Sequence, residues 1–156
     1  MKGHVIMIQN EHSSVTVRLI EEYATLEFIL LGDLRDLLED DFDERTRAWL
    51  TAVINALFET VPREFELQEQ QGYLTHVLEE FPNWTPQVDQ LRAERREIHN
   101  RLLELRTLLL ANKPFDEIAE TLRVELRDWM NSLMAHHRHE RRIVQTAFNL
   151  DVGSGE

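Results

Sequence analysis

The sequence predicts an all-α protein folded as an antiparallel up-down-up-down four-helix bundle. Apolar residues recur at steps of three and four over four long segments, a spacing that places them on one face of a helix. The 5 Gly and 4 Pro of the 156 residues fall mostly between those segments. Long helices joined by short turns favour antiparallel neighbours. We expect one domain over residues 1–150 and a flexible C-terminal tail over 151–156.

The first two predicted helices begin or end near glycine and aspartate residues, and the second contains a proline. The first is expected over residues 4–33, with a resumption over 34–38. The second begins near Asp43, a residue type that caps helix N-termini, and runs to about residue 80. Pro62 lies inside the second helix, and we expect a kink there because proline has no amide hydrogen to donate.

The last two predicted helices follow proline-containing breaks. The stretch Phe81-Pro82-Asn83-Trp84-Thr85-Pro86 interrupts the periodic pattern, and Thr85 followed by Pro86 is typical of an N-cap and first helical residue. This third helix reaches about residue 111, where Asn112-Lys113-Pro114 turns the chain. The fourth helix is expected over residues 115–148.

Each predicted helix has an inward-facing stripe in which polar residues interrupt an apolar series. In chain order, the four stripes are Val5, His12, Thr16, Leu19, Tyr23, Leu26 and Leu30; Leu50, Ile54, Leu57, Val61, Glu64 and Gln68; Val88, Leu91, Arg95, Ile98, Leu102, Leu105 and Leu109; and Ala119, Leu122, Leu126, Trp129, Leu133, His136, Glu140, Ile143 and Ala147. Buried polar groups are costly unless they are paired or bound to a metal. The rise per helical residue puts the polar members at similar heights, so we expect them to meet.

Residues beside the stripes are expected to have ordinary structural roles. His137 and His139 fall on flanking or outer faces of the fourth helix, which predicts solvated side chains. Trp49 and Trp129 are expected to anchor the core. Glu94 is expected to face water or the rim of the bundle.

Composition disfavours several classes of function. The net charge of −12 disfavours nucleic acid, because its phosphates would be repelled. No run of about 18 apolar residues is present, so no membrane span is expected. The sequence has no cysteine, which excludes disulfides and thiolate chemistry, and a cytoplasmic protein is the default expectation. The sequence leaves open whether the chain has a protein partner and whether it is a monomer or a homodimer.

Four short stretches, one on each predicted helix, share a further pattern. They are Asn10-Glu11-His12, Glu64-Phe65-Glu66-Leu67-Gln68-Glu69, Leu91-Arg92-Ala93-Glu94-Arg95, and the pair His136 and Glu140. These stretches resemble hemerythrin-like (HHE cation-binding) domains, whose four-helix bundle holds a non-haem di-iron site. The resemblance covers nearly the whole chain and includes the ending 145–153. It implies metal ligands at His12, Glu64, His99, His136 and Glu140.

The chain departs from that family's pattern at three positions. Glu64 and Arg95 stand where family members have histidines, and Gln68 stands where they have a bridging carboxylate. A guanidinium stays protonated and cannot bind a cation. We therefore expect Arg95 to replace the iron and to pair with Glu64 or Glu140, leaving no metal or partial occupancy by non-haem iron.

Two functions stay open at this point. In the first, the bundle has a degenerate metal site and acts as a non-catalytic interaction or regulatory module. In the second, Arg95 points outward and the chain binds iron, or a single Zn or Fe ion, for the sensing of oxygen, redox state or iron, or for iron storage. An enzyme is not expected, because a ferritin-like oxidase needs Glu-x-x-His pairs and the core stripes contain none.

Overall fold

The computed structural model describes the backbone of residues 2–154 and the side chains of residues 14–150. Residues 2–154 form five α-helices and one 3₁₀-helix, with no strand among them. The α-helices are α1 (Lys2–Glu39), α2 (Glu44–Gln71), α3 (Tyr73–Glu80), α4 (Thr85–Leu110) and α5 (Phe115–Ser154), and the 3₁₀-helix is Pro82–Trp84. The predicted all-α class is confirmed.

A capping box fixes the start of α2. The Asp43 carboxylate accepts hydrogen bonds from the Arg45 amide at 2.9 Å and the Thr46 amide at 3.3 Å. In return, the Thr46 hydroxyl oxygen accepts a bond from the Asp43 amide at 3.3 Å. These bonds satisfy amides that have no partner within the helix, so they stabilise the short turn between α1 and α2. The cap predicted at Asp43 is confirmed.

Two glycines behave differently from the sequence prediction. The first helix was expected to break near Gly32, but α1 passes through that residue and ends at Glu39. The second was expected to reach residue 80 unbroken, but Gly72 adopts a φ of 78° and divides it into α2 and α3. A left-handed residue ends an α-helix, and glycine adopts that conformation without a Cβ clash. By contrast, α2 continues through Pro62.

Two further helix boundaries, the start of α4 and the end of α5, differ in detail from the sequence prediction. Pro86 lies in the first turn of α4, as predicted, but Thr85 does not cap that helix. Its hydroxyl instead donates to the Pro82 carbonyl at 2.7 Å. The last helix continues to Ser154. The side chains of residues 151–156 lie outside the described residues, so the flexible tail stays a prediction.

Neighbouring helices run in opposite directions. Arg106 Nε on α4 donates to Asn55 Oδ1 on α2 at 2.7 Å, whereas Arg95 Nη1, earlier on α4, bonds Glu69, later on α2. The same reversed order relates α5 to both α4 and α1. The strongest packing is of α1 on α2, α2 on α4, and α4 on α5.

The core consists of two apolar clusters with a polar layer between them. The larger cluster is formed by α1, α2, α4 and α5, and the smaller by α3 and the adjoining parts of α4 and α5. The smaller cluster comprises Leu74, Val77, Val88, Leu91, Ile143 and Ala147. Along α4, Arg95 separates Leu91 of the smaller cluster from Ile98 of the larger one. The polar residues therefore occupy a layer that is enclosed on both sides.

The predicted inward stripes of α2 and α4 are confirmed, because every member of both is buried. The predicted inward stripe of α1 was wrong at one of its described positions. Leu26 is 42% exposed, whereas its neighbour Glu27 is 6% exposed. The prediction that Trp49 anchors the core was also wrong, because Trp49 is 69% exposed. Trp129 is fully buried, as predicted, and donates its indole N–H to the Ile98 carbonyl at 2.9 Å.

Replacing Gly72 by alanine should lower the free energy of unfolding by about 1 kcal/mol, because alanine disfavours a positive φ. Crowding is not the cause, since a Cβ at Gly72 would meet no atom within 4 Å. Gly32→Ala is the matched control. It lies inside α1, where a Cβ would make an ordinary contact with Arg35 at 3.9 Å, so it should raise stability by about 0.5–1 kcal/mol. Urea unfolding measures both changes, and equal effects would contradict this account of the α2–α3 break.

Candidate functional site

The polar layer contains two groups of side chains with different charge balances. We name the first the arginine cluster; its members are Arg95, Gln68, Glu69, Tyr73 and Glu140. We name the second the carboxylate cluster; its members are Glu27, Glu64 and His137. On α5, His137 of the carboxylate cluster and Glu140 of the arginine cluster both lie between Leu133 of the larger apolar cluster and Ile143 of the smaller one.

Arg95 is the centre of the arginine cluster and is only 6% exposed. Its Nη2 donates to Glu140 Oε2 at 2.9 Å, to the Tyr73 hydroxyl at 2.9 Å and to Gln68 Oε1 at 3.3 Å. Its Nη1 donates to Glu69 Oε1 at 3.1 Å. A buried guanidinium needs several acceptors because it has five N–H donors and no acceptor. The guanidinium thus points inward, and its predicted pairing with Glu140 is present.

The break at Gly72 brings Tyr73 into this cluster. In an unbroken helix, Tyr73 would be rotated about 140° away from Gln68, which faces the core. The left-handed turn at Gly72 redirects the chain, and the Tyr73 hydroxyl then reaches Arg95. The sequence prediction missed Tyr73 because it assumed an unbroken second helix.

Within the arginine cluster, Arg95 and Glu140 are both held in their charged forms. Burial opposes ionisation of Glu140, but the nearby His136 imidazole and the hydrogen bonds from Tyr73 and Arg95 outweigh it and lower the pKa of Glu140 to about 2. Burial also opposes the charge on Arg95, yet its contacts with Tyr73 and Glu140 raise the pKa of the guanidinium overall. The pair therefore stays ionised across the physiological range of pH.

His136 is held at the edge of the arginine cluster and is almost fully buried. Its Nδ1 lies 2.8 Å from Glu94 Oε1, and its Nε2 lies 3.5 Å from Glu140 Oε2. His139 Nδ1 lies 3.0 Å from the second oxygen of Glu94, and the ring of Phe65 packs edge-on against His136 at 5.4 Å. Glu94, predicted to face the rim, thus bridges two histidines on α5 and fixes the orientation of the His136 ring.

The carboxylate cluster joins three helices. His137 Nε2 on α5 lies 3.1 and 3.2 Å from the two oxygens of Glu27 on α1. One donor atom each of Glu27, Glu64 and His137 lies within 4.8 Å of the other two. Glu64 Oε2, on α2, is buried and has no hydrogen-bond partner. A pocket of about 480 Å³ opens onto all three side chains.

The carboxylate cluster does not hold both of its carboxyl groups in the charged form. Desolvation by burial, reinforced by the neighbouring Glu27, raises the pKa of Glu64 to about 8. Burial would lower the pKa of His137, but its hydrogen bond and charge interaction with Glu27 raise it overall. Two buried carboxyl groups therefore share one imidazole, and Glu64 is left without a cation of its own.

The five predicted metal ligands do not form one group. His136 and Glu140 come together beside Arg95. Glu64, the other predicted partner of Arg95, lies instead in the carboxylate cluster. His99 is apart from both clusters, stacked on an α2 phenylalanine ring at 5.1 Å with its Nδ1 buried and unpartnered. The side chain of His12 lies outside the described residues, and metal binding by these residues stays a prediction.

Glu27 and His137 are the site residues that sequence reasoning missed. The prediction of a solvated His137 was wrong, because its side chain is only 21% exposed and contacts Glu27. The flank of α5 that carries His137 faces α1, not water. Counting back along α1 from the buried Leu38 and Leu34 in steps of four and three reaches Glu27, so the sequence did contain a signal for its burial.

No protein-family model, curated protein or solved structure matches this chain. Within the part of the chain that the structure describes, no helix has the length and apolar character needed to cross a membrane.

In buffer containing EDTA, the free energy of unfolding should fall as the pH rises from about 4.5 towards about 8. Glu64 has an ordinary pKa of 4.5 and a folded-state pKa of about 8, so between these values the folded chain binds more protons than the unfolded one. The groups that face Glu64 are Glu27 from α1, and His137 and Glu140 from α5. The raised pKa of His137 acts in the same direction.

Glu64→Gln removes this charge and nearly keeps the shape of the side chain, so it should flatten the pH dependence measured by urea unfolding. Glu66→Gln is the control, because Glu66 is exposed on the same helix. The same slope in the wild type and both variants would show that Glu64 is not the titrating group.

Proposed function

We propose that this chain is a hemerythrin-like antiparallel four-helix bundle in which Arg95 takes the position of iron, and that it acts as a non-catalytic interaction or regulatory module. The bundle helices would be α1, α2, α4 and α5, with α3 and the 3₁₀-helix forming the second connection. The reversed directions of neighbouring helices and the enclosed polar layer support this arrangement.

The observation that carries the proposal is the 2.9 Å contact between Arg95 Nη2 and Glu140 Oε2. Glu140 is a position to which the resemblance assigns a metal ligand. A cation bound there would meet a permanent positive charge in a poorly solvated interior, where repulsion is strong. Among the described side chains beside Arg95, His136 and Glu140 match the resemblance, whereas a di-iron centre takes more carboxylate and histidine ligands than these. These residues therefore do not fit two irons.

The charge state of the arginine cluster also favours a non-catalytic role. A general acid or base works best when its pKa lies near the working pH. The pKa of Arg95 is raised and that of Glu140 is lowered to about 2, so neither exchanges a proton readily near neutrality. The pair instead ties α4 to α5, and a buried polar contact of this kind can specify a single helix register.

A metal-binding sensing or storage domain is the second candidate. It is favoured by His136 Nε2, which is buried without a hydrogen-bond partner and lies 3.5 Å from Glu140. An ion at this position would require the Arg95 side chain to move away from Glu140. The two candidates therefore differ in what removal of the guanidinium should do.

Arg95→His should raise the iron content of protein purified from cells grown with iron, because it removes the blocking charge and adds a ligand. The wild type should contain well under two irons per chain. Arg92→His is the control, since Arg92 is on the same helix and also pairs with Glu69, but lies at the solvent-exposed rim. Two irons per wild-type chain, or equal uptake by wild type and Arg95→His, would overturn the proposal.

Arg95→Met should lower the free energy of unfolding by about 3–5 kcal/mol, because it leaves the largely buried Glu140 carboxylate without its cation. Arg92→Met breaks an exposed pair and should cost about 1 kcal/mol or less. Chemical denaturation of the three proteins gives both values. Similar stabilities for Arg95→Met and the wild type would mean that the ion pair does not hold the polar layer together.

A further inference from the structure

The geometry points to a second, separate site: the carboxylate cluster binds one divalent transition-metal ion through Glu27, Glu64 and His137. Glu27 and His137 lie outside the positions that the family resemblance assigns to metal. The site does not depend on removal of Arg95, because the guanidinium bonds are made to other residues.

The spacing of the donor atoms suits a single ion. A zinc ion binds histidine nitrogen and carboxylate oxygen at about 2.0–2.2 Å, which places tetrahedral donors about 3.4 Å apart. His137 Nε2 is already 3.1 Å from Glu27 Oε2, and a donor atom of Glu64 is within 4.8 Å of both residues. Small side-chain rotations would bring the three donors onto one ion.

The second observation is the condition of Glu64. This residue is 3% exposed, and its Oε2 is buried with no hydrogen-bond partner. A buried polar atom without a partner is costly and uncommon in folded proteins. A metal ion would supply the missing partner, and its two positive charges would balance the carboxylates of Glu27 and Glu64 while His137 binds as a neutral imidazole.

Among the described residues, no arginine or lysine forms an ion pair with Glu27 or Glu64, although the exposed Arg141 lines the same pocket. Arg95 is a buried cation of the same layer, and its guanidinium bonds go to Glu140, Glu69, Tyr73 and Gln68. Arg95 and Arg92 together match the charges of Glu140 and Glu69, whereas the carboxylate cluster has excess negative charge when both of its carboxyl groups are ionised. This difference explains why an external cation would choose the carboxylate cluster.

The surroundings allow an ion to enter and keep an open coordination position. The pocket of about 480 Å³ beside the cluster is also lined by Gln68 and Tyr73, which offer polar groups to a bound water. Three protein ligands with a fourth position left to water are typical of non-structural zinc sites. A mixed set of one imidazole and two carboxylates favours zinc or another first-row divalent ion over calcium and magnesium, which prefer oxygen ligands alone.

The test is titration of the full chain, stripped with EDTA, with Zn²⁺ alone by isothermal titration calorimetry. We expect saturable binding of one ion per chain and a rise in melting temperature, because an ion that binds the folded state stabilises it. Glu27→Gln, Glu64→Gln and His137→Gln should each weaken binding at least about tenfold, since each removes a ligand. Circular dichroism checks the helical fold of each variant.

His139→Gln is the matched control. His139 is on the same helix and also contacts a glutamate, but it belongs to the rim contact with Glu94. Its replacement should leave zinc affinity unchanged. Absence of one-to-one binding by the wild type would overturn the proposal, and so would wild-type affinity in Glu27→Gln and Glu64→Gln. Loss of binding in His139→Gln alone would assign the zinc to surface histidines and would overturn it equally. Glu27 and Glu64 are on different helices, so the test still decides the proposal if one of these two variants fails to fold.

Discussion

The buried ion pair between Arg95 and Glu140 is the constraint on which the rest of the polar layer depends. An arginine cannot lose its proton to escape burial, so the fold must bring acceptors to it. Those acceptors come from the end of α2, the start of α3 and the middle of α5. The relative positions of these three elements are thus tied to one guanidinium.

The same layer contains two opposite solutions to the burial of charge. Around Arg95, each charged group faces an opposite charge and further hydrogen bonds. Around Glu64, two carboxyl groups share one histidine, and the pKa of Glu64 rises to about 8. The first arrangement rigidifies a structure, whereas the second creates a demand for a cation. The arginine cluster therefore satisfies its charges without an added ion, whereas Glu64 Oε2 in the carboxylate cluster is left without a hydrogen-bond partner.

Much of the framework of the site could be predicted from sequence. Apolar periodicity identified the inward faces of α2 and α4 and showed which polar residues interrupt them. Leu26 was wrongly assigned to the core because a step of three or four along α1 leads to either Glu27 or Leu26, and Leu26 is the apolar one. Burial of Glu27 depends on His137, which is 110 residues away in sequence, and no local pattern shows that contact. Tyr73 was missed for a related reason, since its place depends on the backbone conformation of a single glycine.

The division of the core by a polar layer has a consequence for the cooperativity of the fold. The smaller apolar cluster, formed by α3 with the adjoining turns of α4 and α5, has fewer buried side chains than the larger one. Regions with less buried apolar contact open at lower free energy, as separate foldons. Amide hydrogens of α3 should therefore exchange through a sub-global opening that leaves the larger cluster intact. That end of the molecule is the part able to rearrange while the rest stays folded.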